Sequence, residues 1–124
     1  MAKAKPFPNP QFEECIEACD ECAHLCTACA NDMISMKHTG DMELMQQCIR
    51  LCWDCAEICS LSAQWMSRPS EWSEALCRLC ADVCDRCADV CRRHAPQHPL
   101  CEPCAEACSH CASVCREMSM PRVA

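Results

Sequence analysis

The stretch CRLCADVCDRCADVC, Cys77 to Cys91, places five cysteines at spacings that alternate strictly between three and four residues. An α-helix turns 100° per residue, so five residues spaced this way stay within an arc of roughly 80° over a rise of about 21 Å. That is the a/d seam of a heptad, the mark of a helix that faces other helices. Alanine follows the d cysteines at Ala81 and Ala88, and Leu76, Val83 and Val90 precede the a cysteines. Asp82, Asp85, Arg86, Asp89 and Arg92 take most of what remains. The segment reads as a helix with a sulfur stripe, two apolar shoulders and a charged back.

The same unit recurs along the chain, which makes this an internal repeat. Cys15, Cys19, Cys22, Cys26 and Cys29 form one cluster, Cys48, Cys52, Cys55 and Cys59 a second, and Cys101, Cys104, Cys108, Cys111 and Cys115 a fourth beside Cys77, Cys80, Cys84, Cys87 and Cys91. CDECAHLC from Cys19, CWDCAEIC from Cys52, CEPCAEAC from Cys101 and CSHCASVC from Cys108 share one pattern. Ala23, Ala56, Ala105 and Ala112 keep the alanine shoulder, while Leu25, Leu51, Ile58 and Val114 keep the aliphatic one.

Breaks between the clusters are short. Asn9-Pro10 reads as an N-cap followed by proline at the first helical position. In His38-Thr39-Gly40-Asp41, glycine is expected to end the first helix and aspartate to cap the second. Ser67-Arg68-Pro69-Ser70 and His94-Ala95-Pro96-Gln97-His98-Pro99 separate the rest. Helices are therefore expected over about 10–37, 42–66, 71–94 and 99–118, with tails at 1–9 and 119–124. Such short connections force antiparallel neighbours, so the expected fold is all-α: one up-down-up-down four-helix-bundle domain with a cysteine-lined core.

Composition supports this and excludes much else. Leu, Ile, Val and Phe together stay below the roughly 20% under which a charged chain lacks an ordinary oily core, so either the 19 cysteines are the core or there is none. One glycine leaves no phosphate-cradling loop, and the absence of tyrosine with only two phenylalanines disfavours strands. A formal charge of −7 argues against nucleic acid or anionic membranes as partners. MAKAKPFPNP has lysines but no apolar run, which points away from a secretory signal and toward the reducing cytoplasm, where thiols stay thiols.

Several chemistries could use such a stripe. Disulfides meet an odd count and cysteines stacked along single helices rather than at loop-closing positions. Iron–sulfur motifs need consecutive three-residue spacings, which do not occur. Zinc in four thiolates carries about −2 per site, so four sites would bury roughly eight negative charges. Cu(I) is soft, prefers thiolate and accepts two ligands, and one Cu(I) per thiolate is neutral. Multiple Cu(I) ions bound by the whole set of cysteines is the best reading. A Cu(I) carrier that delivers to a partner protein, or a zinc or heavy-metal buffer, stands beside it. An enzyme is disfavoured: a di-iron bundle needs inward carboxylates, and a thiol oxidoreductase uses one activated pair.

The C-x2-C-A-x-Φ-C repeat on all four helices, over about residues 12 to 118, resembles the cytosolic copper storage proteins. The resemblance implies reversible sequestration of many Cu(I) ions inside the bundle and assembly as a homotetramer. The second helix departs from the pattern, with Ser62 where the repeat expects cysteine. Extending the register past the cysteines brings Met33, Met36, Met45, His94 and His98 to one end, with Met42 and His38 close by. Phe12, Ser62, Met66, Ser73 and Met118, with Trp65 and Trp72, fall at the other. The first set offers weaker soft ligands at which Cu(I) could enter and the second an apolar plug. Trp53, Leu61 and Leu79 lie on faces expected to be solvated, where scattered apolar residues are ordinary, and the resemblance implies a homo-oligomer built through the outer face of the second and third helices.

Overall fold

The computed structural model of the protein describes residues 10–37 and 40–119. Four helices make up its regular structure: α1 (Pro10–Ser35), α2 (Met42–Ser67), α3 (Ser73–His94) and α4 (Cys101–Ser119). Each packs on two others, α1 on α2, α2 on α3 and α3 on α4, with α4 closing back on α1. The short connections make successive helices antiparallel, giving the all-α four-helix bundle.

The two shoulders of the repeat build two kinds of seam. In an antiparallel pair the e positions of one helix face the e positions of its neighbour on one side, and g faces g on the other. The alanine side is the close one: α1 with α2 and α3 with α4 are the most intimate pairs. Ala81, Ala88, Ala105 and Ala112 are sealed within the second of these, at 0 to 1% exposure. Between α2 and α3 the larger Ile58, Leu76 and Val83 stay half-buried and, with Leu61 and Leu79, line a groove of about 370 Å³. The bundle is thus two helical hairpins, each zipped by alanine, joined through bulkier side chains.

Helix ends depart from the sequence reading for local reasons. Helix α1 stops at Ser35, and Gly40 does not end it: its φ is not positive. What Gly40 provides is space, since a Cβ there would collide with the Gln97 side chain. Asp41 does cap α2, its Oδ1 accepting from the Leu44 N–H at 3.0 Å, while its own N–H donates to Gln97 Oε1 at 3.0 Å. Helix α3 starts at Ser73 rather than 71, because Ser70 turns the chain first: its Oγ accepts from the Trp72 N–H and its carbonyl from the Ser73 N–H. Helix α4 starts at Cys101 rather than 99, after a tight turn in which Cys101 N–H donates to the His98 carbonyl and Glu102 N–H to that of Pro99. Ser119, expected in the tail, closes α4 by donating from Oγ to the Cys115 carbonyl at 2.7 Å. The expected cap at Asn9, His38 and Thr39, and the segments 1–9 and 120–124 lie outside the described residues.

Candidate metal centre

All nineteen cysteines are fully buried, and all are free thiols. Their stripes converge on the bundle axis because every helix carries them at a and d. Sulfurs meet across helices throughout: Cys48 and Cys91 at 3.4 Å, Cys55 and Cys84 at 3.5 Å, Cys26 and Cys108 at 3.5 Å, Cys59 and Cys80 at 3.6 Å. These separations far exceed the roughly 2.05 Å of a disulfide, and they are close to the sulfur–sulfur edges around one thiolate-bound metal ion.

The sulfurs form a continuous lattice rather than isolated sites. Cys22, Cys26, Cys55 and Cys108 lie within 4.8 Å of one another, and so do Cys22, Cys55, Cys59 and Cys84. Next come Cys59, Cys80, Cys84 and Cys111, then Cys19, Cys80, Cys111 and Cys115. Each quartet shares two members with the next, Cys22 and Cys55 first, then Cys59 and Cys84, then Cys80 and Cys111. A thiol that belongs to two quartets can serve two ions only by bridging them. The arrangement therefore suits many low-coordinate ions with bridging thiolates, not a few tetrahedral ions with four terminal thiolates each.

Proton sharing across this lattice sets its electrostatics. Contact with Cys108 holds the Cys22 and Cys104 thiols below the ordinary range, and contact with Cys111 does the same for Cys80. Cys111 is drawn down to about 7, chiefly by Cys115. Other thiols are pushed up by their neighbours: Cys26 chiefly by Cys104, Cys59 and Cys115 by Cys111, and Cys91 by Cys101. One thiolate can form where neighbouring thiols donate to it, and those donors must then keep their protons. The metal-free core can hold only part of its sulfur as thiolate, and further thiolates need a cation to replace the protons.

At one end, soft donors line up from the surface inward. Met36, 39% exposed, has its Sδ 3.0 Å from Nδ1 of the buried His98. The His98 and His94 rings stack at 6.0 Å, and His94 Nδ1 lies 3.4 Å from Cys101 Sγ. Cys101 in turn meets Cys29 at 3.6 Å and Cys48 at 3.9 Å. The compact loop fixes both rings, because the His94 carbonyl accepts from the Gln97 and His98 N–H groups. Met33 and Met45 are buried at the same end, and Met42 is exposed there. Asp32, which the sequence reading passed over, has Oδ2 3.2 Å from His98 Nε2. Its signal was faint: Asp32 lies in the last turn of α1 and Met36 just past its end, and only the folded loop brings His98 to them.

At the other end Ser62, Met66, Ser73 and Met118 are buried, Phe12 is half-buried and Trp72 is exposed. Met66 does more than plug: its Sδ accepts from Cys77 Sγ at 3.7 Å. No helix among the described residues is long and apolar enough to cross a membrane.

Comparison with known proteins places these features in context. The sequence model of the copper storage protein family matches residues 8–120. The Cu(I)-bound copper storage protein 3 of Bacillus subtilis is 36% identical with a TM-score of 0.79, over 89% of this chain and 99% of that one. A cytosolic copper storage protein of Streptomyces lividans carrying five coppers is 37% identical, TM-score 0.81, over 91% and 95%. The Streptomyces lividans protein loaded with ten copper equivalents is 35% identical, TM-score 0.80, over 96% and 92%. No curated protein matches the sequence.

Proposed function

The chain belongs to the copper storage protein family, and from that membership we propose that it is a cytoplasmic Cu(I) store rather than an enzyme, holding many ions on the nineteen core cysteines. The observation that carries the reading is the lattice of quartets sharing edges. Cu(I) takes two or three thiolates readily and thiolates bridge Cu(I) ions, so every sulfur can be used without isolating any. Charge favours the same ion. One Cu(I) per thiolate leaves the core neutral, whereas zinc at the same sulfurs would bury a net negative charge in a chain already at −7.

Admission of copper fits the line Met36, His98, His94, Cys101, with Met33 and Met45 buried beside it. Thioether and imidazole hold Cu(I) less firmly than thiolate, so an ion would pass downhill into the core. Asp32 brings a carboxylate to the Nε2 side of His98, opposite the Nδ1 that meets Met36, where it can orient the ring. Assembly as a homotetramer is the family's expectation, and exposed Trp53 and Leu61 on α2, Trp72 just before α3 and Leu79 on α3 support an association through this side.

Anaerobic titration of the reduced protein with Cu(I) against a chromogenic chelator, with metal counted by elemental analysis, tests the function. The expected capacity lies between roughly ten ions, at two thiols each, and roughly nineteen, with bridging thiolates. Saturation at one to four equivalents would sink the storage reading in favour of a carrier. Displacement of the bound copper by modest zinc would favour a zinc buffer.

A further inference from the structure

The a/d stripe of α2 runs Cys48, Cys52, Cys55, Cys59, Ser62, Met66, so this helix brings no thiol to the last layer of the core. The other three helices do. Cys15 of α1, Cys77 of α3 and Cys115 of α4 have their sulfurs within 4.8 Å of one another, with Cys15 and Cys115 at 3.4 Å. Met66 occupies the place of the missing fourth: it is fully buried, and its thioether sulfur lies 3.7 Å from Cys77 Sγ. A methionine that merely filled a gap could turn its sulfur anywhere in the cavity. Here each of the four helices contributes one sulfur to the same layer.

Resting on the storage reading, we infer that the end of the bundle remote from His98 is itself a Cu(I) site, built of the thiolates of Cys15, Cys77 and Cys115 with the thioether of Met66. Charge explains why a thioether suits this layer. Cys115 is shared with the quartet of Cys19, Cys80 and Cys111, so its charge is balanced by more than one ion, whereas a fourth thiolate in this layer would add a negative charge without adding an ion. A thioether is a soft donor that adds none. Two further observations agree. Ser62 and Ser73 stand on the stripes one turn from Met66 and from Cys77, and their buried hydroxyls have no hydrogen-bond partner among the described residues. Hydroxyls are donors that thiolates accept but thiols reward poorly, so they suit a layer whose sulfurs become anionic when metal replaces their protons. The apolar plug expected at this end is thus partly a ligand.

Selenomethionine labelling makes the site visible. The labelled full-length protein is loaded with Cu(I) to saturation, its copper counted, and its selenium X-ray absorption recorded against the metal-free form. Copper loading is expected to add a selenium–copper scattering shell. Met66→Leu, close in volume and checked for helicity, is expected to lose a resolvable share of that shell, whereas Met118→Leu, at the same end, keeps it whole. A wild-type protein that fills with copper yet shows no selenium–copper shell overturns the inference, with or without a folded variant. So does a shell of equal amplitude in Met66→Leu. Either result at full copper load leaves the storage reading standing, whereas uptake of four ions or fewer removes both.

Discussion

Ser62 shows how much one atom decides. It sits where the repeat calls for sulfur, fully buried, with a hydroxyl that has no hydrogen-bond partner among the described residues. An unsatisfied buried hydroxyl costs about 1–3 kcal/mol, whereas a thiol is a weak donor that loses little there. Ser62→Cys is therefore expected to stabilise the metal-free protein by about 1 kcal/mol in denaturant titration. It should also raise copper capacity by about one ion, because it restores the stripe beside Cys59. A variant no more stable, with unchanged capacity, would show that the hydroxyl costs the metal-free protein nothing and that a sulfur at this position reaches no ion. At the opposite end the proposed entrance is expected to act on rate instead of amount. The triple variant His94→Ala, His98→Ala, Met45→Leu should slow both Cu(I) uptake and chelator-driven removal in stopped-flow traces while leaving capacity nearly unchanged. Asp32→Ala should slow them in the same direction but less, since it frees the His98 ring without deleting it. Unaltered rates in the triple variant would move the entrance elsewhere.

The helices follow from the sequence because the a/d cysteines, the e alanines and the g aliphatics repeat together, and a pattern kept over four segments has one solution in three dimensions. The closeness of α1 with α2 and of α3 with α4 is already implied by which shoulder is alanine. Ala88→Leu, at 1% exposure in the α3–α4 seam, is accordingly expected to cost about 1–3 kcal/mol by overpacking, measured by chemical denaturation. A tolerated leucine would mean that the two hairpins are not zipped at fixed distance. What the sequence does not disclose is how the helices end. Ser70 captures the Trp72 and Ser73 N–H groups before α3 can start, and the Pro99 turn delays α4 to Cys101. These are competitions between hydrogen bonds of similar strength, which periodicity does not register. Gly40 illustrates the same limit: its smallness serves a side chain 57 residues away, Gln97, and nothing local marks it. The soft-donor line shares that character. Its methionines and histidines can be assigned to one end from the register, but the approach of Asp32 to His98 exists only in the folded bundle, as does that of Met66 to Cys77 at the other end.

As a whole the molecule hides its chemistry on the axis and leaves aromatic surface outside. Trp65, Trp72, Leu76 and Leu79 line a groove of about 360 Å³ on the outer side of α2 and α3, with Trp53 and Leu61 exposed further along α2. Sedimentation at micromolar concentration should give a homotetramer, and a monomer would leave this surface unexplained. Stability is tied to the cargo. An ordinary oily core is thin here, so the metal-free bundle leans on thiols acting as small hydrophobes, and crosslinking them with Cu(I) should raise its melting temperature. The dependence on pH has two parts. Thiols held above their ordinary value of 9.0, such as Cys26, Cys59 and Cys115, keep protons that the unfolded chain releases, so their contribution is complete below pH 9 and falls away as pH rises past it. Cys111, drawn down to about 7, works in the opposite sense: its contribution is complete above 9.0 and lost as pH falls through 7. Copper adds a third dependence, because every ion must displace protons from the sulfurs that bind it. With free Cu(I) held constant by a chelator, each proton displaced makes apparent binding about tenfold tighter per pH unit, or about 1.4 kcal/mol of added stability. The gap in melting temperature between loaded and metal-free protein should therefore widen from about pH 6 to about pH 8, read by circular dichroism under anaerobic conditions. A gap that stays constant would mean the sulfurs were already thiolates before copper arrived, against the proton sharing that the Cys26, Cys104 and Cys108 contacts impose.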